Sequence, residues 1–340
     1  MKAELIPVDS ALWRSCLTRL THDFYHFPGY VALSAAHEQG TPHAIYASDG
    51  NAELLLPVVI RPIPNGGYDA TSPYGYSGPV TTDGMTSVFQ HEALVRCVNL
   101  LKSRAIASLF VRLHPLLNRG PFDVGKVVTS GTVVSIDLRR SHDEIWRETR
   151  PGHRADIVRA MRSGHTAAFD ESWSQYGAFK NLYRATMQRI AAPAYYHFDD
   201  EYFDRLRKSL GDHLRLCVVN VDGMLAAGAL IAETSGIVQY HLSASDPAYR
   251  QRALTKLIIH FVASWAKDRG NRSFHLGGGI GGAKDSLFQF KAGFAGTPLP
   301  FRTLRLIVNA AEYSKLVQQH AGVSAIDPDG YFPAYRAPLG

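Results

Sequence analysis

Gly236-Ile237-Val238-Gln239-Tyr240-His241-Leu242-Ser243-Ala244-Ser245 opens a stretch, ending at Phe294, on which the reading of the whole chain turns. The apolar run reads as a strand. A turn follows at Asp246-Pro247, then a basic patch, Arg250-Gln251-Arg252. Leu254, Leu257, Ile258, Phe261, Val262 and Trp265 then recur at helical spacing. Arg269-Gly270 ends that helix with a cation and a capping glycine. Arg272 to Leu276 reads as a second strand and runs into Gly277-Gly278-Gly279-Ile280-Gly281-Gly282. Asp285-Ser286-Leu287-Phe288-Gln289-Phe290-Lys291-Ala292-Gly293-Phe294 closes the stretch as an amphipathic segment. Together these pieces form a β-α-β unit with a glycine-rich end. Gly277, Gly279 and Gly282 satisfy G-x-G-x-x-G, but a dinucleotide site also wants a carboxylate roughly 20 residues on, within a continuing β-α-β repeat. None stands at that distance. The glycines instead suit close approach of the backbone to a ligand or a neighbouring segment.

Composition sets the outer bounds. A chain of 340 residues holds two domains or one large one, and 46% hydrophobic with 19% charged residues supports real cores. No apolar run approaches the roughly 20 residues of a membrane span. The start, Met1-Lys2-Ala3-Glu4-Leu5, lacks the apolar core of a signal peptide. Cys16, Cys97 and Cys217 are widely separated and odd in number, which argues neither a disulfide framework nor a zinc site. The expectation is a reduced, cytoplasmic protein. The net charge of +6 suggests an anionic partner. Its distribution says more: Arg139, Arg140, Arg147, Arg150, Arg154, Arg159 and Arg162 concentrate positive charge in one segment fit for phosphates.

In chain order, Ala11 to Leu20 suggests a short helix before the aromatic segment Phe24 to Tyr30, with Ala32 to Ala36 continuing as helix. His22 and His26 have helical metal spacing, but no third ligand supports a metal site. His43 to Ala47 and Glu53 to Ile60 read as hairpin strands around Asp49-Gly50. Gly66 to Val80, rich in Gly, Pro and Tyr, reads as too irregular for a central strand. Tyr74 and Tyr76 there line a pocket or simply pack a turn. Met85 to Ala105 reads as helix, and Leu109 to Leu113 and Thr132 to Leu138 as strands. A second unit opens with a basic helical segment, Ser141 to Ser163, interrupted at Pro151-Gly152. Ala167 to Phe169 is a candidate strand, and helices follow over Tyr176 to Ile190 and Asp199 to Leu210. Strands come next at Leu214 to Val221 and Met224 to Ala232, turned at Asp222-Gly223. Leu304 to Val308 adds a last strand.

Tyr240-His241-Leu242-Ser243-Ala244-Ser245, Leu276-Gly277-Gly278-Gly279 and the block from Asp285 to Phe294 resemble the FemABX-like transferases, a branch of the GNAT acyltransferase superfamily. Asp23-Phe24-Tyr25-His26-Phe27-Pro28-Gly29-Tyr30 and Ser72-Pro73-Tyr74-Gly75-Tyr76-Ser77-Gly78-Pro79 extend the resemblance to the N-terminal half, more weakly. It implies an α/β fold of two tandem GNAT-like domains, mixed sheets flanked by helices. The expected limits are 1–140 for the N-terminal domain, with the tail 310–340 packed back on it, and 141–309 for a C-terminal domain carrying the acyl-transfer site.

The resemblance also implies chemistry. Acetyl transferases of the superfamily bind the donor pyrophosphate on backbone N–H groups at a helix start, with the signature Gln/Arg-x-x-Gly-x-Gly/Ala. The matching turn here, Tyr249-Arg250-Gln251-Arg252-Ala253-Leu254-Thr255, lacks the glycines, which argues against coenzyme A. The FemABX-like branch takes its acyl group from aminoacyl-tRNA, and a basic surface suits that donor. Lys291 matches the lysine of the family's Phe-Lys-x-Gly-Phe block, where its cation stabilises an oxyanion or holds a phosphate. Asp285 orients Lys291, takes a proton from the acceptor amine, or caps the helix that starts there. Tyr240 and His241 lie beside the acyl channel of GNAT folds, and strand alternation turns only one of them into it. His241 joins Lys291 and Asp285 as a catalytic candidate. Tyr74, Tyr76, Tyr240, Gly277, Gly278, Gly279 and Phe290 are substrate-binding candidates. Arg150, Arg154, Arg250 and Arg252 are candidates for tRNA or phosphate contact. Ser243 and Ser245 lack a nearby base, so direct transfer without a covalent enzyme intermediate is expected. No long charged helical stretch interrupts Gly211 to Gly282, unlike cell-wall members with a helical arm. The expected partners are an aminoacyl-tRNA co-substrate and a small amine-bearing acceptor, a peptide-type molecule or cell-wall precursor, with no metal and no other cofactor. An acyl-coenzyme A N-acyltransferase and a non-catalytic RNA-binding module are the alternatives.

Overall fold

A computed structural model describes residues 1–64, 66–295, 298–320 and 330–338. The chain divides into two compact units, 1–130 with 300–340, and 131–299.

In the first unit, β1 (Lys2–Pro7), α1 (Ala11–Arg19) and a 3-10 turn at Phe24–His26 lead into α2 (Pro28–His37), β2 (Thr41–Asp49) and β3 (Ala52–Pro62). Then come β4 (Tyr68–Thr71), β5 (Val80–Thr81), α3 (Ser87–Ser103) and β6 (Ile106–Arg112). The sheet runs β1-β2-β3-β4-β6, with β5 beside β3 and Thr303–Ile307 antiparallel to β6. Both faces of β3 are covered, which is why Leu54-Leu55-Leu56 is an unbroken apolar run rather than an alternating one. Leu55 packs with Trp13, Cys16 and Val31, whereas Leu54 and Leu56 face Phe89, Ala93 and Leu101 of α3. Thr86 caps α3, accepting from the Phe89 N–H.

The stretch Gly66 to Val80 corrects an expectation. Tyr68–Thr71 is a central strand, antiparallel to β3 and parallel to β6. It was hidden because it is only four residues long and carries a buried carboxylate, Asp69. Arg61 meets Asp69 at 3.0 Å and Arg336 meets it at 2.5 Å, so the charge is paired where it is buried. His22 and His26 serve packing: His22 Nδ1 donates to the Leu20 carbonyl at 2.7 Å and His26 Nε2 to that of Gly78 at 2.8 Å. Among the described residues, no group of three or more His, Cys, Asp or Glu is placed to hold a metal, and no helix is long and apolar enough to cross a membrane.

β7 (Lys126–Asp137) leads into the second unit, followed by α4 (His142–Glu148), α5 (Pro151–Arg162) and β8 (Ala167–Phe169). α6 (Tyr176–Arg189) and α7 (Asp200–Leu210) come next. Then follow β9 (Leu214–Val221), β10 (Met224–Thr234), β11 (Ile237–Ser245), α8 (Leu254–Asp268), β12 (Ser273–Gly278) and α9 (Ser286–Lys291). The sheet order is β7-β12-β11-β10-β9-β8, antiparallel throughout except for β11 and β12. The helical repeat of α8 supplies Leu257, Ile258, Ile259 and Val262 to a core shared with Ile157 of α5 and Phe274 of β12. α4 and α5 part where Pro151 stands, as the sequence anticipated. Ser141 and Glu144 form a capping box on α4, and Pro151 occupies the first turn of α5, where its missing N–H costs nothing.

The last strand of each sheet is not the one chain order suggests. Residues 133–137 of β7 pair with β12, although Thr132 to Leu138 was read with the N-terminal domain. Residues 303–307 of β13 (Leu299–Ile307) pair with β6, although Leu304 to Val308 was read with the C-terminal one. The units therefore meet at 130/131 and 299/300, where the sequence had suggested 140/141 and 309/310. α10 (Ala310–Gln319) and residues 330–338 complete the first unit, with Tyr313, Leu316 and Tyr335 packed on Ile63 and Ala107. The Tyr335 hydroxyl bonds the Ser108 hydroxyl at 2.8 Å. Residues 321–329 and 339–340 of the expected tail lie outside the described residues.

Candidate active site

The second sheet opens at the level of β11 and β12. These parallel strands pair only over Ile237–Gln239 and Ser273–His275. Beyond that level both are irregular. β12 shifts register against β7 between His275 and Gly277. β11 shifts against β10, where Leu230 faces Leu242 and Ile231 faces Tyr240. His241 is thus the extra residue of a β-bulge, a device that bends a strand and re-aims side chains. The alternation argument fails at this point: Tyr240 and His241 are both partly exposed, and strand parity does not separate them.

Lys291, the last residue of α9, reaches back to the end of β12. Its Nζ donates to the Gly278 carbonyl at 2.8 Å. Burial pushes its pKa down to about 8, against the opposing pull of Asp285. It is a half-buried lysine held in one position. Gly278 has no room for a side chain, since a Cβ would lie 2.6 Å from the Thr132 carbonyl oxygen.

Asp285 is spent on the backbone. Its Oδ1 accepts from Phe288 N–H at 2.8 Å, capping α9, and its Oδ2 accepts from Ile280 N–H at 2.9 Å, tying down the glycine loop. Burial works to raise its pKa, but the Phe288, Ile280 and Leu287 N–H groups and Lys291 more than offset this and the net shift is downward. A base working near neutrality needs the opposite shift. The geometry gives Asp285 the cap's role.

The glycines lie at the end of β12 that Lys291 reaches, Phe290 precedes the lysine on α9, and Tyr240 stands on the adjacent strand β11. Gly277 N–H donates to His275 Nδ1 at 3.1 Å, and Gly279 begins the turn that Asp285 closes. The Tyr240 ring lies 6.4 Å from that of Phe274. Burial pushes its hydroxyl up to about 12, with the Ser243 hydrogen bond opposing, so it stays a neutral donor. Phe290 packs edge-on to Phe294, centroids 5.7 Å apart. Tyr74 and Tyr76 belong to the first unit. The Tyr74 ring faces the Arg112 guanidinium at 6.0 Å, and Tyr76 lies between Tyr25 and Phe301, at 5.6 and 5.4 Å. The tight turn between them rests on Gly75, at φ +97° with its α-carbon against the Tyr25 ring.

The basic candidates fall into two groups. Arg250 and Arg252 lie exposed in the 3-10 turn Pro247–Arg252, which packs against α5. Arg252 bonds His165 at 3.3 Å and covers the Tyr249 ring at 5.2 Å. Ala253 then takes the left-handed conformation, φ 54° and ψ 34°, and no side chain caps the first N–H groups of α8. The turn is therefore made without the family's glycines, by placing an alanine where glycine is favoured. Arg154 is half-exposed on α5. Arg150 has a structural task at the α5 N-terminus: its N–H donates to the Gly293 carbonyl at 2.7 Å and its Nη2 to that of Gln289 at 3.4 Å.

Sequence reasoning missed His153. It is buried, its Nε2 donates to the Phe290 carbonyl at 2.9 Å, and its ring meets Phe294 at 4.8 Å. A histidine two residues after a proline in a basic segment carries no signal by itself. Only the folded contact identifies it.

Residues 139–291 match the family model described as an acetyltransferase (GNAT) domain. No curated protein matches the sequence. Among solved structures, FemX is similar with a TM-score of 0.70 at 13% identity, over 93% of this chain and 99% of that one. The C-terminal domain of a putative lysylphosphatidylglycerol synthetase from Agrobacterium fabrum gives a TM-score of 0.55 at 15% identity, over 88% of this chain and 91% of that one. A conserved protein of unknown function from Bacteroides thetaiotaomicron gives 0.56 at 9% identity, over 90% of this chain and 99% of that one. At these identities the likeness is one of fold. Residues 139–291 thus resemble a GNAT domain, and the chain shares its fold with FemX.

Proposed function

We propose that the protein is an aminoacyl-tRNA-dependent transferase that forms an amide on the amine of a small peptide-type or cell-wall-precursor acceptor. The observation that carries this reading is Lys291, an ammonium of lowered pKa fixed on the Gly278 carbonyl where β11 and β12 part. In the reaction the acceptor amine attacks the ester carbonyl of the aminoacyl-tRNA. A C–N bond forms, the ester C–O bond breaks, and the tRNA hydroxyl leaves with the proton the amine loses. One Nζ proton of Lys291 is engaged by Gly278, which leaves two to hydrogen-bond the oxyanion as it develops. Tyr240 supplies a neutral donor on the neighbouring strand. Arg154, Arg250 and Arg252 contact the phosphates of the donor. The fold shared with FemX, and with a domain named for lysylphosphatidylglycerol synthesis, supports aminoacyl transfer over other acyl chemistry. The reaction belongs in the cytoplasm, and peptide natural-product assembly is one setting that suits a small acceptor.

One observation favours a second reading. The α8 start carries no side-chain cap, which leaves N–H groups for the pyrophosphate of an acyl-coenzyme A. A donor comparison separates the two. Purified protein and a panel of amines receive radiolabelled aminoacyl-tRNA in one set and acetyl-coenzyme A in the other. Label passing from tRNA to an amine above the enzyme-free rate is the expected result. Transfer from coenzyme A alone would overturn the proposal.

A further inference from the structure

The short helix bearing Lys291 does not hold itself in place. α9 has only six residues, too few to persist on its own. Carbonyls near its end and just past it are satisfied from outside, by the start of α5. Arg150 N–H donates to Gly293, Arg150 Nη2 to Gln289, and His153 Nε2 to Phe290, the residue immediately before Lys291. The donor-rich start of one helix thus meets the carbonyl end of another, a favourable arrangement of dipoles. Gly293 is fitted to the same ring: a Cβ there would lie 2.4 Å from His153 Nε2. The carbonyl partner also fixes the tautomer, with the proton on Nε2. Lys256, Arg150 and Asp156 are the charged groups around the imidazole.

We infer that His153 is a positioning residue for Lys291, holding the segment Phe290–Phe294 so that the lysine stays fixed on the Gly278 carbonyl. This rests on the reading of Lys291 as the oxyanion donor, but its test does not. The full chain is labelled competitively with acetic anhydride across a pH series, and modification of Lys291 is followed by mass spectrometry. In the unaltered protein the midpoint falls near the lowered value, about 8. His153→Ala is expected to move it upward by about one unit or more, as water reaches the amine. His153→Gln, whose amide reaches the place of Nε2, is expected to keep the midpoint. Gly293→Ala is expected to raise it when His153 is present and to add nothing in the His153→Ala background, the signature of a direct coupling. An unchanged Lys291 midpoint in His153→Ala, with only a lower melting temperature, would overturn the inference and leave His153 a packing residue. Should His153→Ala fail to fold, Gly293→Ala decides: an unshifted midpoint there overturns it equally. Where transfer is established, a fall in kcat with KM retained in His153→Ala, restored in His153→Gln, gives the same answer in turnover. Loss of the transfer reading would leave the labelling result standing.

Discussion

At the scale of the residue, Lys291 and Asp285 make distinguishable predictions. Removing one oxyanion donor costs about 10²–10³-fold in kcat, so Lys291→Met is expected to lower turnover by that order while the fold persists by circular dichroism. The unaltered enzyme is expected to lose activity as pH rises through about 8, where the ammonium deprotonates. Stability responds with the opposite sign. The folded chain holds Lys291 near 8 and the unfolded chain near 10.5, so between those values the unfolded state binds the extra proton. Stability contributed by this group rises with pH across that window. The difference in unfolding free energy between the native protein and Lys291→Met, measured in urea at several pH values, isolates it from other groups. For Asp285 the distinction is between cap and base. Asp285→Asn keeps one backbone acceptor and loses one hydrogen bond, worth about 1.5 kcal/mol or a factor of about ten. A cap therefore tolerates Asp285→Asn within about tenfold of native turnover, while Asp285→Ala loses far more. Equal inactivity of the two variants would make Asp285 the base.

At the scale of the element, the candidate site lies where β11 and β12 cease to pair, and register shifts in both strands stand beside it. The sequence displayed the two strands and the intervening helix plainly, because α8 repeats its apolar residues at helical spacing. The bulge at His241 was invisible, because a register shift lies in the pairing with β10 and not in residue type. α9 was legible only as an amphipathic segment, since six residues give periodicity little to work on. Gly278→Ala tests whether the close packing of β12 on β7 sets the lysine's partner. The added Cβ meets the Thr132 carbonyl, a backbone atom with nowhere to go. Displacement of the Gly278 carbonyl is expected to raise the Lys291 modification midpoint and to lower kcat. A crystal structure or amide exchange showing an unmoved strand, with full activity, would refute this.

At the scale of the whole molecule, the strands that complete the sheets come from the far side of each sequence boundary. β7 follows β6 in the chain yet finishes the second sheet, and β13 follows the second unit yet finishes the first. Truncation at the sequence-expected boundaries therefore removes the closing strand from one sheet or the other. The first unit depends as well on residues far along the chain, through the buried Asp69. Two arginines, Arg61 and Arg336, and the Tyr335 hydroxyl at 3.2 Å converge on this carboxylate. Asp69→Asn leaves Arg336 without its carboxylate and Arg61 with Glu38 alone, at 3.6 Å, and is expected to destabilise the protein by roughly 3 kcal/mol, read from urea unfolding. Arg336→Ala is expected to cost less, because Arg61 still neutralises Asp69. An Asp69→Asn protein of native stability would show that the cluster contributes nothing.

The sequence by itself determined the α/β class, the run of elements from β9 through β12, the break before Pro151, and the block around Lys291. These rest on local physics: the periodicity of apolar residues, the turn chemistry of Gly and Pro, and side chains whose type is fixed by the backbone beside them. Tertiary structure alone decided which strand closes each sheet, that Tyr68–Thr71 is central, that Asp285 is bound by two backbone N–H groups, and that His153 bonds the Phe290 carbonyl. Those facts are pairings between residues distant in the chain, with burial of charge made affordable by partners that no local pattern announces. A carboxylate in a strand or a histidine in a basic helix has the same signature whether it is exposed or buried. Its meaning comes from what folds against it.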